Sequence, residues 1–176
     1  MEELELTQVT LEELPLLQEI GRATFSETFS SYNSAENMDN YLEEGFSVQK
    51  LTEELNNKHS VFYFARLGGS VIGYLKVNFG GAQTELQDSN ALEIERIYVL
   101  RAYHGKRVGQ VVYEKAMELA EQRNVDYVWL GVWEENPRAI NFYQKNGFVA
   151  FDKHVFKLGK DEQTDLLMKK VLKTGK

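Results

Sequence analysis

The stretch Tyr103-His104-Gly105-Lys106-Arg107-Val108-Gly109-Gln110 gathers the groups an anionic ligand needs. It precedes a helical pattern. Backbone N–H groups opening a helix are unpaired and partially positive, so glycines at 105 and 109 let a phosphate approach the main chain. From Arg96 through Tyr113 there are four basic residues, Arg96, Arg101, Lys106 and Arg107, and no acidic one. The segment contains neither GxxxxGKS/T nor GxGxxG, which sets aside a P-loop and a dinucleotide-binding turn. With no cysteine in the chain there is no thiol nucleophile, no thiolate zinc site and no disulfide framework. His59, His104 and His154 are scattered without a metal-ligand spacing, so no metal is expected.

The elements that position this segment follow from local pattern. Leu4 to Val9 reads as a short strand, followed by a Thr10 cap and a helix to about Arg22. Residues 24–57 carry apolar pairs four apart (Phe25 and Phe29, Met38 and Leu42, Leu51 and Leu55), the mark of amphipathic helices. Val61–Leu67 and Ser70–Val77 are strands joined by Gly68-Gly69, a two-residue hairpin signal, and Gly80–Asn90 is a polar loop. In Ala91–Val99, Leu92 and Ile94 share one parity and Ile97 and Val99 the other, so the alternation slips near Glu95-Arg96 and predicts a β-bulge. Gly109 to Arg123 is helical, and Tyr127–Trp133, seven residues without a charge, is a strand covered on both faces. Asn136-Pro137 opens a helix that Gly147 closes. Phe148–Leu158 and Asp165–Leu172 are strands around the polar loop Gly159–Thr164.

This order, with the motifs it carries, resembles the GNAT superfamily of acetyl-CoA-dependent N-acyltransferases. The family's phosphate motif, Q/R-x-x-G-x-G/A, aligns with His104-x-x-Arg107-x-Gly109 and departs from it at 104 and 107. The longer match is Leu130 to Phe148, a strand followed by N-x-x-A-x-x-F/L-Y-x-K-x-G-F. Ile97-Tyr98-Val99-Leu100, Tyr103-His104-Gly105, Leu130-Gly131-Val132-Trp133-Glu134 and Gln163-Thr164-Asp165-Leu166 are similar to PaiA-type polyamine N-acetyltransferases of bacteria. The resemblance covers about residues 60–172. It implies an α/β (α+β) fold: a mixed, mostly antiparallel sheet with two splayed parallel central strands and helices on both faces. Residues 1–176 are expected to form a single domain, with 1–60 a helical acceptor-side region and 61–172 the sheet and coenzyme-binding core.

The resemblance also implies a site. Ile97, Tyr98 and Val99 are expected to pair through their main chain with the pantetheine arm of acetyl-CoA, and His104, Gly105, Lys106, Arg107, Val108, Gly109 and Gln110 to hold its diphosphate. Arg107 has two readings. At positive φ a non-glycine residue costs on the order of 1 kcal/mol; otherwise its guanidinium contacts a phosphate, the reading favoured here. Asn136, Asn141 and Lys145 are further coenzyme candidates. Tyr143 matches the family tyrosine that protonates or positions the coenzyme sulfur. An alkyl ammonium of pKa about 10.4 must lose a proton before it attacks, and Glu95 at the bulge is the expected acceptor, with Glu93 second.

Charge distribution suggests the amine. Net charge is −7, yet residues 1–60 hold 13 acidic against three basic residues while the remainder is slightly basic. One reading is solvated acidic helix faces; the other is a docking field for a polyamine such as spermidine or spermine, with Glu27, Tyr32, Glu36 and Asp39 as contacts and Tyr41 and Glu43 nearby. Alternatives are a protein or small-molecule N-acetyltransferase and a non-catalytic acyl-CoA-binding regulator. The acidic balance disfavours nucleic acid. No apolar run is long enough to span a membrane and the first residues are acidic, so a cytoplasmic enzyme is expected. A homodimer stays open.

Overall fold

The computed structural model describes residues 3–158 and 161–172. Its strands are β1 (Leu4–Gln8), β2 (Ser60–Leu67), β3 (Ser70–Phe79), β4 (Ala91–Val99), β5 (Tyr127–Trp133), β6 (Val149–Leu158) and β7 (Asp161–Val171). Its α-helices are α1 (Leu14–Phe29), α2 (Ala35–Gly45), α3 (Val48–Asn56), α4 (Val108–Gln122) and α5 (Pro137–Lys145). The strands form one seven-stranded sheet in the order β1-β2-β3-β4-β5-β7-β6, in which β4 and β5 are parallel and every other neighbouring pair is antiparallel. This is the expected mixed, splayed fold class. Among the described residues no helix is long and apolar enough to cross a membrane.

Local chemistry accounts for the joints. Gly68 and Gly69 have φ of 57° and 86°, the double positive φ of a tight hairpin turn. The alternation slip in β4 is a bulge: Lys76 pairs with Arg96 and Val77 with Ile94, which leaves Glu95 as the extra residue. Two boundaries differ from the sequence reading by four residues or more. Helix α1 continues past Arg22 to Phe29, because Thr24, Phe25 and Phe29 extend its buried stripe; the buried Thr24 hydroxyl is satisfied by donating to the Ile20 carbonyl at 2.8 Å. Strand β7 begins at Asp161 rather than Asp165, since the β6–β7 ladder continues to Leu158 opposite Asp161; Gly159 and Lys160 lie outside the described residues.

The sheet separates two cores. One, beneath α4 and α5, contains Leu75, Leu92, Ile94, Val112, Leu130 and Met168. The other, beneath α1–α3, contains Leu17, Phe25, Phe29, Leu51, Phe64 and Trp133. Burying a side chain of this size contributes about 1.5–3 kcal/mol, so each face holds its helices firmly against the central strands.

Gly73 shows how tightly the free end of β4 is held. A Cβ there would lie 2.6 Å from the Tyr98 carbonyl oxygen, a backbone atom with no freedom to swing aside. Gly73→Ala is therefore expected to push Tyr98–Val99 outward, destabilise the fold by about 1–3 kcal/mol and raise the KM for the ligand expected to pair along that strand. Thermal melting and steady-state kinetics check both. A variant matching the parent in Tm and KM would show that β4 is not rigid there.

Candidate active site

Strands β4 and β5 pair only at Ala91–Tyr127, Leu92–Val128, Glu93–Trp129 and Ile94–Leu130. Beyond that point they part. Each remains paired to its outer neighbour, β4 to β3 as far as Val99 and β5 to β7 as far as Trp133. The bulge at Glu95 bends β4 away at the residue after its last contact with β5. The result is a wedge whose β4 wall is free of β5 along Ile97–Val99. A cavity of about 1160 Å³ runs through the wedge and reaches both faces of the sheet.

On the α4 and α5 face the cavity is lined by Ile97, Val99, His104, Gly105, Arg107, Val108, Gly109 and Gln110, and by Asn136, Asn141, Tyr143 and Lys145, while Tyr98 borders it with its ring turned to the other core. Arg107 is the N-cap of α4 at φ 66°, ψ 11°, in the left-handed region, and the first turn carries no acid. The first helical bond is Val111 N–H to the Arg107 carbonyl, which leaves the amides before it without intrahelical acceptors. A Cβ on Gly105 or Gly109 would meet nothing within 4 Å, so the backbone is open to a ligand.

The opposite end lies between α1–α3 and the β3–β4 loop. Glu93 is buried there and accepts from Thr84 N–H at 2.9 Å, Thr84 Oγ1 at 2.6 Å and Asn78 Nδ2 at 3.0 Å. Burial pushes its carboxyl above the usual range against those bonds. Glu95 faces Lys76 Nζ at 2.7 Å, Arg96 Nη2 at 3.3 Å and Asn78 Nδ2 at 2.8 Å. Burial opposes its ionisation, but Arg96, Lys76 and Asn78 outweigh it and hold Glu95 at about 2. A carboxylate so neutralised is a poor proton acceptor, which removes the chemical ground for Glu95 as the base. The strand parity that put it in the wedge does not show Lys76 from the neighbouring strand.

Residues 19–148 match the acetyltransferase (GNAT) family. The chain belongs to that family. It is 42% identical over 167 residues to an uncharacterised N-acetyltransferase in the pepI 3′ region of Lactobacillus delbrueckii subsp. lactis, covering 95% of this chain and 96% of the relative. Spermidine N(1)-acetyltransferase of Thermoplasma acidophilum is 24% identical over 153 residues, 85% of this chain and 90% of that one. The crystal structure of the PaiA N-acetyltransferase of Thermoplasma acidophilum with coenzyme A superimposes with a TM-score of 0.79 at 24% identity, covering 96% of this chain and 99% of that chain.

This GNAT chain is an acetyltransferase whose co-substrate is acetyl-CoA. Its residues suit that ligand: a free strand edge for an extended amide-bearing arm, and a helix N-terminus with Arg107, Arg138 and Lys145 beside it for phosphate. Several expected contacts have other duties. A carbonyl only accepts, so the 2.9 Å contact from His104 Nε2 to the Val99 oxygen makes Nε2 a donor that ties the loop to β4. The Asn136 side chain caps α5 by accepting from Ala139 N–H at 3.2 Å. Gln110 Nε2 bonds Asn146 at 3.2 Å, leaving only its amide for the loop. Lys106 is exposed and does not line the cavity.

The acceptor contacts expected in the first sixty residues are largely elsewhere. Glu27 lines the cavity, but its carboxylate accepts from Arg101 N–H at 2.7 Å and fixes α1 to the loop after β4. Glu36 and Asp39 are exposed on α2, away from the cavity, because α2 turns Met38 and its neighbours Tyr41 and Leu42 toward the core. Glu43 borders a separate surface recess with Asp39. The side chain of Tyr32 lies outside the described residues; Tyr41 does line the cavity, stacked on Phe25 with ring centroids 4.3 Å apart. The sequence reading missed Asp165 of β7, together with Glu85 and His154. Asp165 has the parity of buried Leu167, so an acid on an apolar strand face was its available signal.

Arg107 combines both readings considered for it: a strained backbone and a guanidinium at the cavity. Arg107→Gly relieves a strain of about 1–2 kcal/mol that Arg107→Ala retains, so the glycine variant is expected to melt above the alanine variant. Both lose the charged fork, and the KM for acetyl-CoA is expected to rise roughly tenfold in each. An unchanged KM in both takes the guanidinium off the diphosphate.

Proposed function

We propose that the chain acetylates a primary amine of a small polycation, of which spermidine and spermine are the type. The observation that carries this is the character of the acceptor end: Glu85, Glu93 and Asp165 converge on it beside the rings of Phe25 and Tyr41. The Arg96 guanidinium there, like Lys76 behind it, is matched by Glu54 and Glu95. A field of that sign attracts ammonium groups and rejects acidic acceptors, and the stacked aromatic wall suits their alkyl segments and charge. The spermidine acetyltransferase among the relatives supports the same class.

In this reading the main chain of Ile97, Tyr98 and Val99 aligns the pantetheine arm, and the amides of Gly105–Gln110 with Arg107 hold the diphosphate. Asn141 and Lys145 flank the coenzyme. Bound acetyl-CoA supplies an activated thioester. Tyr143 faces the cavity with its phenol held protonated by burial, above its usual range, and donates a hydrogen bond toward the sulfur. The absence of cysteine accords with a cytoplasmic setting.

Competition between spermidine, an aminoglycoside and a basic N-terminal peptide tests the acceptor. Spermidine is expected to show the highest kcat/KM, and its KM to rise between about 50 and 300 mM salt as the field is screened. Turnover of the peptide alone would reject the polyamine class.

A further inference from the structure

The carboxylates at the acceptor end are not equivalent. Glu93 is filled by three donors and Glu95 is matched by two cations. Glu85 pairs with His154 Nε2 at 2.8 Å, and Glu27 accepts from Arg101. The Asp165 carboxylate takes no hydrogen bond or ion pair among the described residues. It pairs across the ladder with Trp133, and its side chain leans back over Gly131, where a Cβ would lie 3.3 Å from Asp165 Oδ2. Gly131 follows Leu130, the last residue of β5 paired with β4. Glu135 also lines the cavity without a partner among the described residues, but it is exposed on the turn before α5, whereas the half-buried Asp165 carboxylate overhangs the vertex of the wedge, in space that any side chain at 131 would crowd.

We propose that Asp165 is the proton acceptor of the acetyl transfer, taking a proton from the substrate ammonium at the wedge vertex, directly or through one water. The freed nitrogen lone pair forms the C–N bond to the thioester carbonyl carbon, and the C–S bond breaks with its electrons leaving on sulfur. The ammonium gives up two protons in all. One passes to Asp165 and on to solvent, and the other neutralises the departing thiolate, which Tyr143 stabilises by its hydrogen bond. The inference rests on the reading that the acceptor arrives as an ammonium.

Burial raises the Asp165 carboxyl to about 6, with Glu85 adding to the rise and His154 opposing it. The titratable groups that act on it are His154 from β6, Glu85 from the β3–β4 loop and Tyr41 from α2, while Glu93 and Glu95 of β4 line the same cavity. A raised acid binds its proton more tightly in the folded chain. The folded state is therefore favoured below about pH 6 and loses that advantage as pH rises through it.

The test compares the full-length chain with Asp165→Asn and Asp165→Glu from about pH 5 to pH 9, reading kcat/KM for spermidine and for a basic peptide. The parent is expected to show an acidic limb near pH 6. Asp165→Asn is expected to lack that limb, to fall on the order of 10²-fold at about pH 8, and to melt about 2–4 °C above the parent there. Asp165→Glu is expected to restore the limb in part, and calorimetric affinity for coenzyme A to stay the same in all three. An acidic limb that persists in Asp165→Asn, or activity within about threefold of the parent, overturns the proposal. A peptide acetylated faster than spermidine counts against the polyamine class alone, and the same profile then decides Asp165 with the peptide as acceptor.

Discussion

Tyr143→Phe is expected to lower kcat by roughly 10²–10³-fold while leaving the KM for acetyl-CoA and the Tm nearly unchanged. The tyrosine is presented by α5, whose start is fixed by the Asn136 cap and Pro137 and whose end is closed by Gly147 at φ 95°. Its ring is buried against Phe142 and Phe148, with centroids 5.4 and 5.7 Å away, and phenylalanine keeps those contacts. What phenylalanine loses is the hydroxyl. Burial, reinforced by Tyr113, disfavours the phenolate, so the proton stays on oxygen across the working pH range and the group acts as a fixed donor. Such a donor matters most when sulfur acquires charge as the C–S bond breaks, so its loss falls on kcat and kcat/KM alike. Steady-state kinetics with a melting curve measure this. A kcat within about threefold of the parent would reduce Tyr143 to a packing residue.

Lys76→Met is expected to be the most damaging change to stability. Lys76 is 5% exposed and its ammonium bridges Glu54 of α3 at 3.3 Å and Glu95 of the bulge at 2.7 Å, while Arg96 holds the same two carboxylates at 3.1 and 3.3 Å. Removing one cation leaves two carboxylates facing a single guanidinium. Breaking such a buried set costs about 3–5 kcal/mol. Glu54 and Glu95 keep some access to water, so the lower figure applies and the Tm is expected to fall by about 6–12 °C. The pH dependence carries a second signature. Glu95 is held at about 2 against an ordinary value of 4.5, so its stabilisation is complete above that value and disappears as pH falls toward about 2. Lys76→Met moves this loss to higher pH. Adding Glu95→Gln should return part of the stability. A double variant no more stable than Lys76→Met alone would break the account of the network.

The same network explains why the site was only half legible. The side-chain slip between Ile94 and Ile97 located the bulge, because parity along a strand is a property of the chain itself. The uncharged run Tyr127–Trp133 matched β5, and Asn136-Pro137 with Gly147 bounded α5, because caps and breakers act within a turn of where they stand. Protonation is different. Glu95 stands beside Arg96 in the string of residues, but its second cation, Lys76, arrives from β3, and Glu54, which shares both cations, from α3; the chain order does not show that these close a network while the Asp165 carboxylate takes no partner among the described residues.

Taken alone, the order of residues determined where the strands bend, which helix opens behind a glycine-bearing basic loop, and that the chain resembles an acetyl-CoA enzyme. Those are short-range matters of periodicity, capping and motif. Which carboxylates are matched by cations, which way the acids of α2 point and which acids line the cavity were decided only by the packed molecule. Charge and solvation depend on neighbours in space, and Gly131 and Asp165 become neighbours only when β7 pairs with β5.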